Sequence, residues 1–426
     1  MAQKLGALRG MEDILPGEVE KWQWVEEKAR VFFESCGFKE IRTPLLEYTD
    51  LFSRSVGEAS DIIHKEMFSF EDRGGRQITL RPEMTASVAR AVIEHGLLKT
   101  NKSLRLYYIG PMFRAERPQA GRKRQFHQIG VEIINETNSG GFNVDFDVVF
   151  LLCSFLRYAG LKNFKLRLND LGSFDQQKEM TPQLKQYFSR ELSKLCPDCR
   201  YRLEKNVLRI FDCKNESCQP IINKVPWNEI APLSKEFEYL ISCIQSGSIP
   251  FEVDRRLVRG LDYYNHAVFE VSAEGLGAQN AIAGGGRYDH LFEDLGGTKT
   301  PCTGFSLGME RLLEAIEKSS GKIADKFIGY RVYLAPLEEN FKVQEIVKDL
   351  GLKLREKGYS IELDLRETSL SKHLKQANKA AARFVLILGS EEIKKGIWTV
   401  KDMKQKIQTE IKEGDILSYL HKELGL

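Results

Sequence analysis

The sequence predicts an α+β domain built on a mainly antiparallel sheet, interrupted by a helical insertion and followed by a separate α/β domain. Three observations carry this. Two β-rich runs, "LRLYYIGPMFRAE" and "RKRQFHQIGVEIIN", flank a basic Pro/Gly stretch, as in an antiparallel hairpin with a long loop. From 169 to 250 strand patterns give way to helical ones and clustered cysteines. After residue 329, strands alternate with helices of about ten to fifteen residues, the pattern of crossover connections. The expected division is 1–168 and 251–320 for the two parts of the first domain, 169–250 for the insertion, 321–329 for a polar linker, and 330–426 for the α/β domain.

Taken in order, Trp22, Val25, Ala29, Phe32, Phe33 and Cys36 recur at helical spacing, and Gly37 ends that helix. "FKEIRTPLLEYTDLF" is expected to be extended, and Pro44 within it restricts it to an edge or an interface. "RQITLRPEMTASVARAVI" predicts a strand and then a helix, with Pro82 near its first turn. "LVRGLDYYNHAVFEV" reads as strand at both ends with an interruption between them. "GFSLGMERLLEAIEK" supplies a further strand and helix, and "YRVYLAPL", "SIELDL" and "FVLILG" are the strands of the last domain.

Composition sets bounds. With 426 residues, 42% hydrophobic and 29% charged, the chain has ample material for a core. Residues 330–426 hold 18 Lys and Arg against 15 Asp and Glu and so account for the whole net charge of +3. The first sixteen residues lack the apolar stretch of a secretory signal, and the longest apolar run, around Val148 to Leu156, is too short to cross a bilayer. Eight cysteines without an export signal are expected to be reduced thiols in the cytoplasm, without membrane association.

Chemistry concentrates in the hairpin. Alternation along Phe113, Arg114, Ala115 and Glu116 is expected to bring Arg114 and Glu116 to one face. Arg117, Arg122, Lys123 and Arg124 follow, with Phe126 beside them. Arginine forks suit phosphate oxygens and an aromatic ring can stack on a base. A solvated charged loop is the plain alternative from charge alone.

"FRAE" with its basic loop and "RQFHQ" resembles motif 2 of class II aminoacyl-tRNA synthetases, and "GFSLGMERL" resembles their motif 3, with Arg311 as its arginine. Pro44 stands where motif 1 has its dimer-interface proline. "RGLDYY" (259–264) and "GGGRYD" (284–289) resemble the paired signature of histidyl-tRNA synthetases, as do "RGMEDILP", "LRPEMT" and "RQFHQIGVE". The resemblance spans nearly the whole chain in the family's order.

It implies a cytoplasmic, homodimeric histidine–tRNA ligase that uses ATP and Mg2+ to form histidyl-adenylate and then charges tRNA(His). Glu132 and Tyr264 would contact the imidazole, while Glu83, Thr85 and Gln128 would hold the α-ammonium and Tyr263 and Tyr288 would wall the pocket. Arg114 and Arg259 would be catalytic, stabilising negative charge at the α-phosphate. Glu116 would read adenine, Phe126 would stack on it, and Arg311 would lie near the γ-phosphate. Gln119, Arg122 and Arg124 would meet the tRNA acceptor end, and the last domain would bind the anticodon. Gly284, Gly285 and Gly286 suit close backbone approach, although a tight bend explains them as simply. His290 stands where the family more often has glycine and is expected to reshape the pocket rim, and Ala115 occupies a variable position.

Cys196, Cys199, Cys213 and Cys218 form a CxxC pair and a wider CxxxxC pair, and four thiolates suit a structural Zn2+. The wide second spacing, and a family that does not require metal here, favour buried reduced thiols instead. The lysine-rich "SKHLKQANK" and "EEIKKGIWTVKDMKQK" suit a solvated surface. The main rival function is a non-catalytic paralogue, a histidine sensor or regulatory subunit of ATP phosphoribosyltransferase. Such proteins generally lack the C-terminal domain and lose signature residues, and both are present here. A tRNA-binding module without activation chemistry is opposed by Arg114, Arg259 and Arg311, and another class II synthetase by "RGLDYY".

Overall fold

The computed structural model describes residues 5–57, 60, 62–118, 122–135, 142–247, 249–277, 280–320, 331–338, 340–365 and 369–424. The chain divides into two compact units, Met1–Ile323 and Ala324–Leu426. The linker expected at 321–329, like Gln119, lies outside the described residues.

The first unit holds strands β1 (Lys39–Glu40), β2 (Leu46–Tyr48), β3 (Phe68–Glu71), β4 (Gln77–Leu80), β5 (Leu104–Phe113), β6 (Gln125–Ile134), β7 (Phe164–Asp170), β8 (Phe251–Val253), β9 (Asn265–Ala273), β10 (Ala281–Arg287) and β11 (Cys302–Gly308). Eight of them form one sheet in the order β1-β5-β6-β11-β10-β9-β7-β8. Its inner pairs are antiparallel, and only the outermost pairs, β1 with β5 and β7 with β8, are parallel. A small antiparallel sheet, β2-β4-β3, stands beside it.

Helices Val19–Ser35, Phe142–Tyr158 and Met309–Ser320 pack with this sheet. Phe33 is fully buried, with its ring centroid 4.9 Å from Phe155 and 5.8 Å from Tyr107. Cutting so large a buried ring back to Ala costs about 3–5 kcal/mol. Because strand side chains alternate, buried Ile129, Val131 and Ile133 of β6 serve the core, whereas Phe126, Gln128 and Glu132 emerge on the other face.

The hairpin β5–β6 forms as expected, with Phe113 opposite Gln125, but β5 stops at Phe113. The ladder continues by one bond, from Arg114 N to Arg124 O at 2.8 Å, so Glu116 is placed by the loop rather than by strand alternation. "TDLF" is helical, within Thr49–Val56, where an extended run was expected. Leu257 to Tyr264 is irregular throughout and strand begins only at Asn265, because Asn169 Nδ2 binds the Leu257 carbonyl and Arg209 binds the Arg259 carbonyl in place of a ladder. Arg81 ties the Pro44 segment down, donating to Thr43 O at 2.8 Å and to Pro111 O at 3.0 Å.

Between β7 and β8 the chain is helical, from Phe174–Ser189 to Lys235–Ser246. Its entry is fixed by a reciprocal cap in which Ser173 Oγ accepts from Gln176 N and Gln176 Oε1 accepts from Ser173 N.

The second unit has its own sheet of β12 (Arg331–Pro336), β13 (Ser360–Leu363), β14 (Ala382–Leu388), β15 (Ile397–Asp402) and β16 (Ile407–Lys412), in the order β13-β12-β14-β15-β16. The first three are parallel, joined through helices Phe341–Glu356 and Leu370–Lys379. The run "EEIKKGIWTVKDMKQK" is more than a solvated surface: β15 buries Trp398 and Val400, while Lys394, Lys395, Lys404 and Lys406 on either side of it are exposed.

Candidate active site

A cavity of about 970 Å³ opens over the sheet in the first unit. β6 lends it Phe126, Gln128 and Glu132, β9 lends Glu270, and the irregular segment before β9 lends Arg259, Tyr263 and Tyr264. The insertion supplies a further wall through Arg209, Phe211 and Asp212.

At the closed end lies Glu132, which accepts from Thr85 Oγ1 at 2.7 Å and from the Tyr288 hydroxyl. Burial pushes its carboxyl up to about 8, against the hydrogen bonds from Tyr288 and Thr85. Gly304 on the neighbouring strand makes room, because a Cβ there would overlap the Glu132 carboxylate. Glu83 accepts the backbone N–H groups of Thr85 at 2.6 Å and Ala86 at 2.9 Å, capping the helix Thr85–Glu94, and burial raises its carboxyl too. Gln128 Nε2 reaches Ser306 Oγ, and its buried Oε1 has no partner among the described residues, so an acceptor is held ready for a donor. Tyr263 and Tyr264 pack with ring centroids 4.6 Å apart, and Tyr263 lies 5.6 Å from Tyr288. Burial lifts the Tyr264 phenol to about 12, which keeps it a hydrogen-bond donor at neutral pH.

Towards the open end the site turns basic. Arg259 Nη1 meets Glu270 Oε2 at 2.7 Å, and Glu270 also holds Arg167. Burial opposes the charge on Arg259, but Glu270, followed by Tyr264 and Asp212, more than offsets it and the guanidinium stays above its ordinary range. The guanidinium lies on Gly284, where any Cβ would displace it. That explains one glycine of "GGGRYD", while Gly285 is demanded by the close Gly304 carbonyl. Arg287 of the same motif is a buried core group, paired with Asp145 at 2.9 Å.

Arg114 donates to the Pro82 carbonyl at 3.0 Å and lies over Phe126, 5.2 Å from the ring centroid. Arg122 meets Glu116 at 2.8 Å, and Arg311 binds the Ala281 carbonyl at 2.8 Å. Burial and the nearby Arg122 push the Arg311 guanidinium down, against the pull of Glu116 and Glu314.

The candidate histidine and ATP residues thus converge on one cavity. Arg122 lines it, whereas Arg124 Nε turns to the Glu116 carbonyl at 3.2 Å. His290 does not shape this rim. It packs against Phe174, at 4.3 Å between centroids, and lines a separate hollow with His266 and Asp294, because the chain turns away after Tyr288. Glu270, Ser306, Arg209 and Asp262 were not anticipated. A lone acid in the apolar run "AVFEVSA" was the available signal for Glu270. The four insertion cysteines, favoured above as reduced thiols, bring their sulfurs within 4.8 Å of one another.

A mainly antiparallel sheet with a motif 2 hairpin and a motif 3 strand and helix, their arginines facing one cavity, defines a class II aminoacyl-tRNA synthetase. The profile of histidyl-tRNA synthetase matches residues 10–195 and 218–312, and that of the anticodon binding domain matches 331–423. A histidine–tRNA ligase of Thermotoga maritima is 43% identical over 423 residues, covering 99% of each chain. One of Geobacillus sp. (strain WCH70) is 43% identical over 424 residues, covering 98% of this chain and 99% of its own. The solved structure of apo S. aureus histidyl-tRNA synthetase superposes with a TM-score of 0.78 at 31% identity, covering 98% of this chain and 99% of that one. The chain belongs to the histidyl-tRNA synthetase family.

Proposed function

We propose that the cavity activates histidine with ATP and then passes the histidyl group to tRNA(His), with the residue roles assigned here. The activity is that of a histidine–tRNA ligase, not of the regulatory paralogue, since full-length relatives of that activity align end to end and the anticodon-binding unit is present. The observation that carries the residue assignment is convergence: Glu132 and the tyrosines at the closed end, and Arg114 and Arg259 towards the open one, line the same cavity.

In this reading Glu132 and Tyr264 accept from and donate to the imidazole, and Gln128 Oε1 with Glu83 and Thr85 receives the α-ammonium. A site that hydrogen-bonds both ring nitrogens rejects analogues lacking them by about 10⁴ to 10⁵ without editing. The histidine carboxylate oxygen bonds to the α-phosphorus as the bond to pyrophosphate breaks. Arg114 and Arg259, fixed beforehand by Pro82 O and Glu270, stabilise the charge that gathers there. Glu116 and Phe126 take the adenine, and Arg311 takes the γ-phosphate. The 3′-terminal ribose hydroxyl of tRNA then attacks the carboxyl carbon and AMP leaves.

Of the acids lining the cavity, Glu116, Glu270 and Glu310 are already engaged by Arg122, Arg259 and His127 respectively. Mg2+ fits such a site because ATP phosphates and water supply most of its oxygen ligands, with one or two carboxylates sufficing. When bound, it neutralises the departing pyrophosphate.

A homodimer is supported by the apolar side chains that the small sheet leaves exposed, Leu46, Tyr48 and Phe70, next to Pro44. No helix among the described residues is long and apolar enough to cross a membrane, in keeping with work in the cytoplasm. ATP–pyrophosphate exchange driven by each amino acid in turn tests the assignment. Histidine alone should support it, and exchange with another amino acid but not with histidine overturns the reading.

A further inference from the structure

The insertion carries a second chemical feature that histidine activation does not use. Cys196 precedes the helix Pro197–Lys205, and Cys199 lies in its first turn. Cys213 ends the short helix Val207–Asp212, and Cys218 precedes Gln219–Ile222. Their four sulfurs all lie within 4.8 Å of one another, and those of Cys196 and Cys213 are 3.8 Å apart. Four thiolates at about 2.3 Å from one tetrahedral ion stand about 3.8 Å from each other.

Packing alone asks for less than this. A buried cysteine behaves as a small apolar group with no need to meet three others. Here two sulfurs also receive backbone amides, Cys218 Sγ from Cys196 N at 3.3 Å and Cys213 Sγ from Asn215 N at 3.4 Å, a bond that suits a thiolate. Cys199, Cys213 and Cys218 are buried among Leu195, Leu203, Val207 and Ile210. The helices joined there have 9, 6 and 4 residues, too short to hold themselves. The family profile matches 10–195 and 218–312, which leaves Cys196, Cys199 and Cys213 outside the matched residues.

We propose that Cys196, Cys199, Cys213 and Cys218 bind one Zn2+ as thiolates, releasing their protons, and that this ion clamps the Val207–Asp212 segment against the active site. That segment presents Arg209, which donates to the Arg259 carbonyl at 2.6 Å and to Asp262 Oδ1 at 2.6 Å, and it follows Asn206, which reaches the same oxygen at 3.1 Å. Arg209 and Asn206 are thereby positioning residues for the stretch that carries Arg259, Tyr263 and Tyr264. This second part rests on the proposed function, whereas the metal content does not.

The test is elemental analysis of the full chain purified without added metal, followed by titration with a mercurial in the presence of a metallochromic dye. One zinc per chain, released as four thiols react, is expected. Cobalt exchanged into the site should give the visible absorption of a tetrahedral thiolate complex. Cys213→Ser should lose the zinc while Cys243→Ser, outside the cluster, keeps it. Absence of zinc with all four thiols open to alkylation, or a mass showing disulfides among them, overturns the site whether or not the variants fold. For the clamp, Arg209→Ala should retain zinc and lower kcat for histidine-driven exchange about tenfold or more, with Arg209→Lys partly restoring it. Unchanged exchange in Arg209→Ala overturns the clamp and leaves the metal result standing.

Discussion

Arg259 and Glu270 are joined by one ion pair at 2.7 Å that fixes the guanidinium where Gly284 leaves space for it. Glu270 keeps Arg167 as a second partner, so removing Arg259 does not strand a buried charge. Arg259→Ala should therefore remain folded and lose about 10² to 10³ in the rate of pyrophosphate exchange. Glu270→Gln keeps a hydrogen-bond acceptor but weakens the hold, and should lose less. Pre-steady-state adenylate formation separates the two, and an unchanged rate in Arg259→Ala removes it from the chemistry.

Glu132 makes stability depend on pH in a stated direction. Its carboxyl moves from 4.5 to about 8, chiefly through burial, so the folded chain keeps a proton that the unfolded chain has lost. Stability associated with it is complete below about pH 4.5 and is lost as pH rises towards 8. Glu83 is displaced the same way and adds to the trend. In the absence of histidine, Glu132→Gln should unfold at a higher temperature than the parent near pH 8, with the gap closing towards pH 5. Parallel melting curves across that range would count against a protonated Glu132. The same variant should lose histidine-driven exchange, because an amide cannot release a proton to become the carboxylate that accepts from the ring.

Two glycines should fail in different ways. A Cβ at Gly284 meets the movable end of Arg259, whereas one at Gly304 meets the Val131 carbonyl as well as Glu132. Gly284→Ala should cost activity with little loss of stability. Gly304→Ala must shift backbone, and overpacking of that kind costs about 1–3 kcal/mol. Denaturant melts alongside exchange rates distinguish them. Equal destabilisation of both would contradict the distinction.

Much of this was legible in the chain. The hairpin β5–β6 announced itself because both strands are long, apolar and joined by a basic loop, and the motif residues on β6 follow from simple alternation. What escaped was what depends on distant partners. Leu257 looked like strand because Leu, Val and Tyr favour it, yet Asn169 and Arg209, 88 and 50 residues away from the carbonyls they bind, take the hydrogen bonds a ladder would have used. The lysines of 394–406 masked β15, which buries Trp398, Thr399 and Val400 in succession between them. Thiol convergence across a gap of 13 residues could not be read from spacing, since it is the turn at 206–212 that folds the second pair back onto the first.

The last prediction concerns the division of labour between the units. The second unit has a core of its own, with Val332, Leu334, Phe384 and Trp398 buried around a five-stranded sheet. Every described residue lining the active cavity belongs to the first unit. A chain ending at 320 should therefore retain histidine-driven exchange within a few-fold, while kcat/KM for charging tRNA falls at least about tenfold, the equivalent of ~1.4 kcal/mol of lost binding. The loss should appear as a higher KM for tRNA and shrink at low salt, where the remaining basic loop contributes more. Loss of exchange in a truncated chain that melts cooperatively would mean that the second unit takes part in amino-acid activation, and unchanged charging would mean that it adds nothing to tRNA recognition.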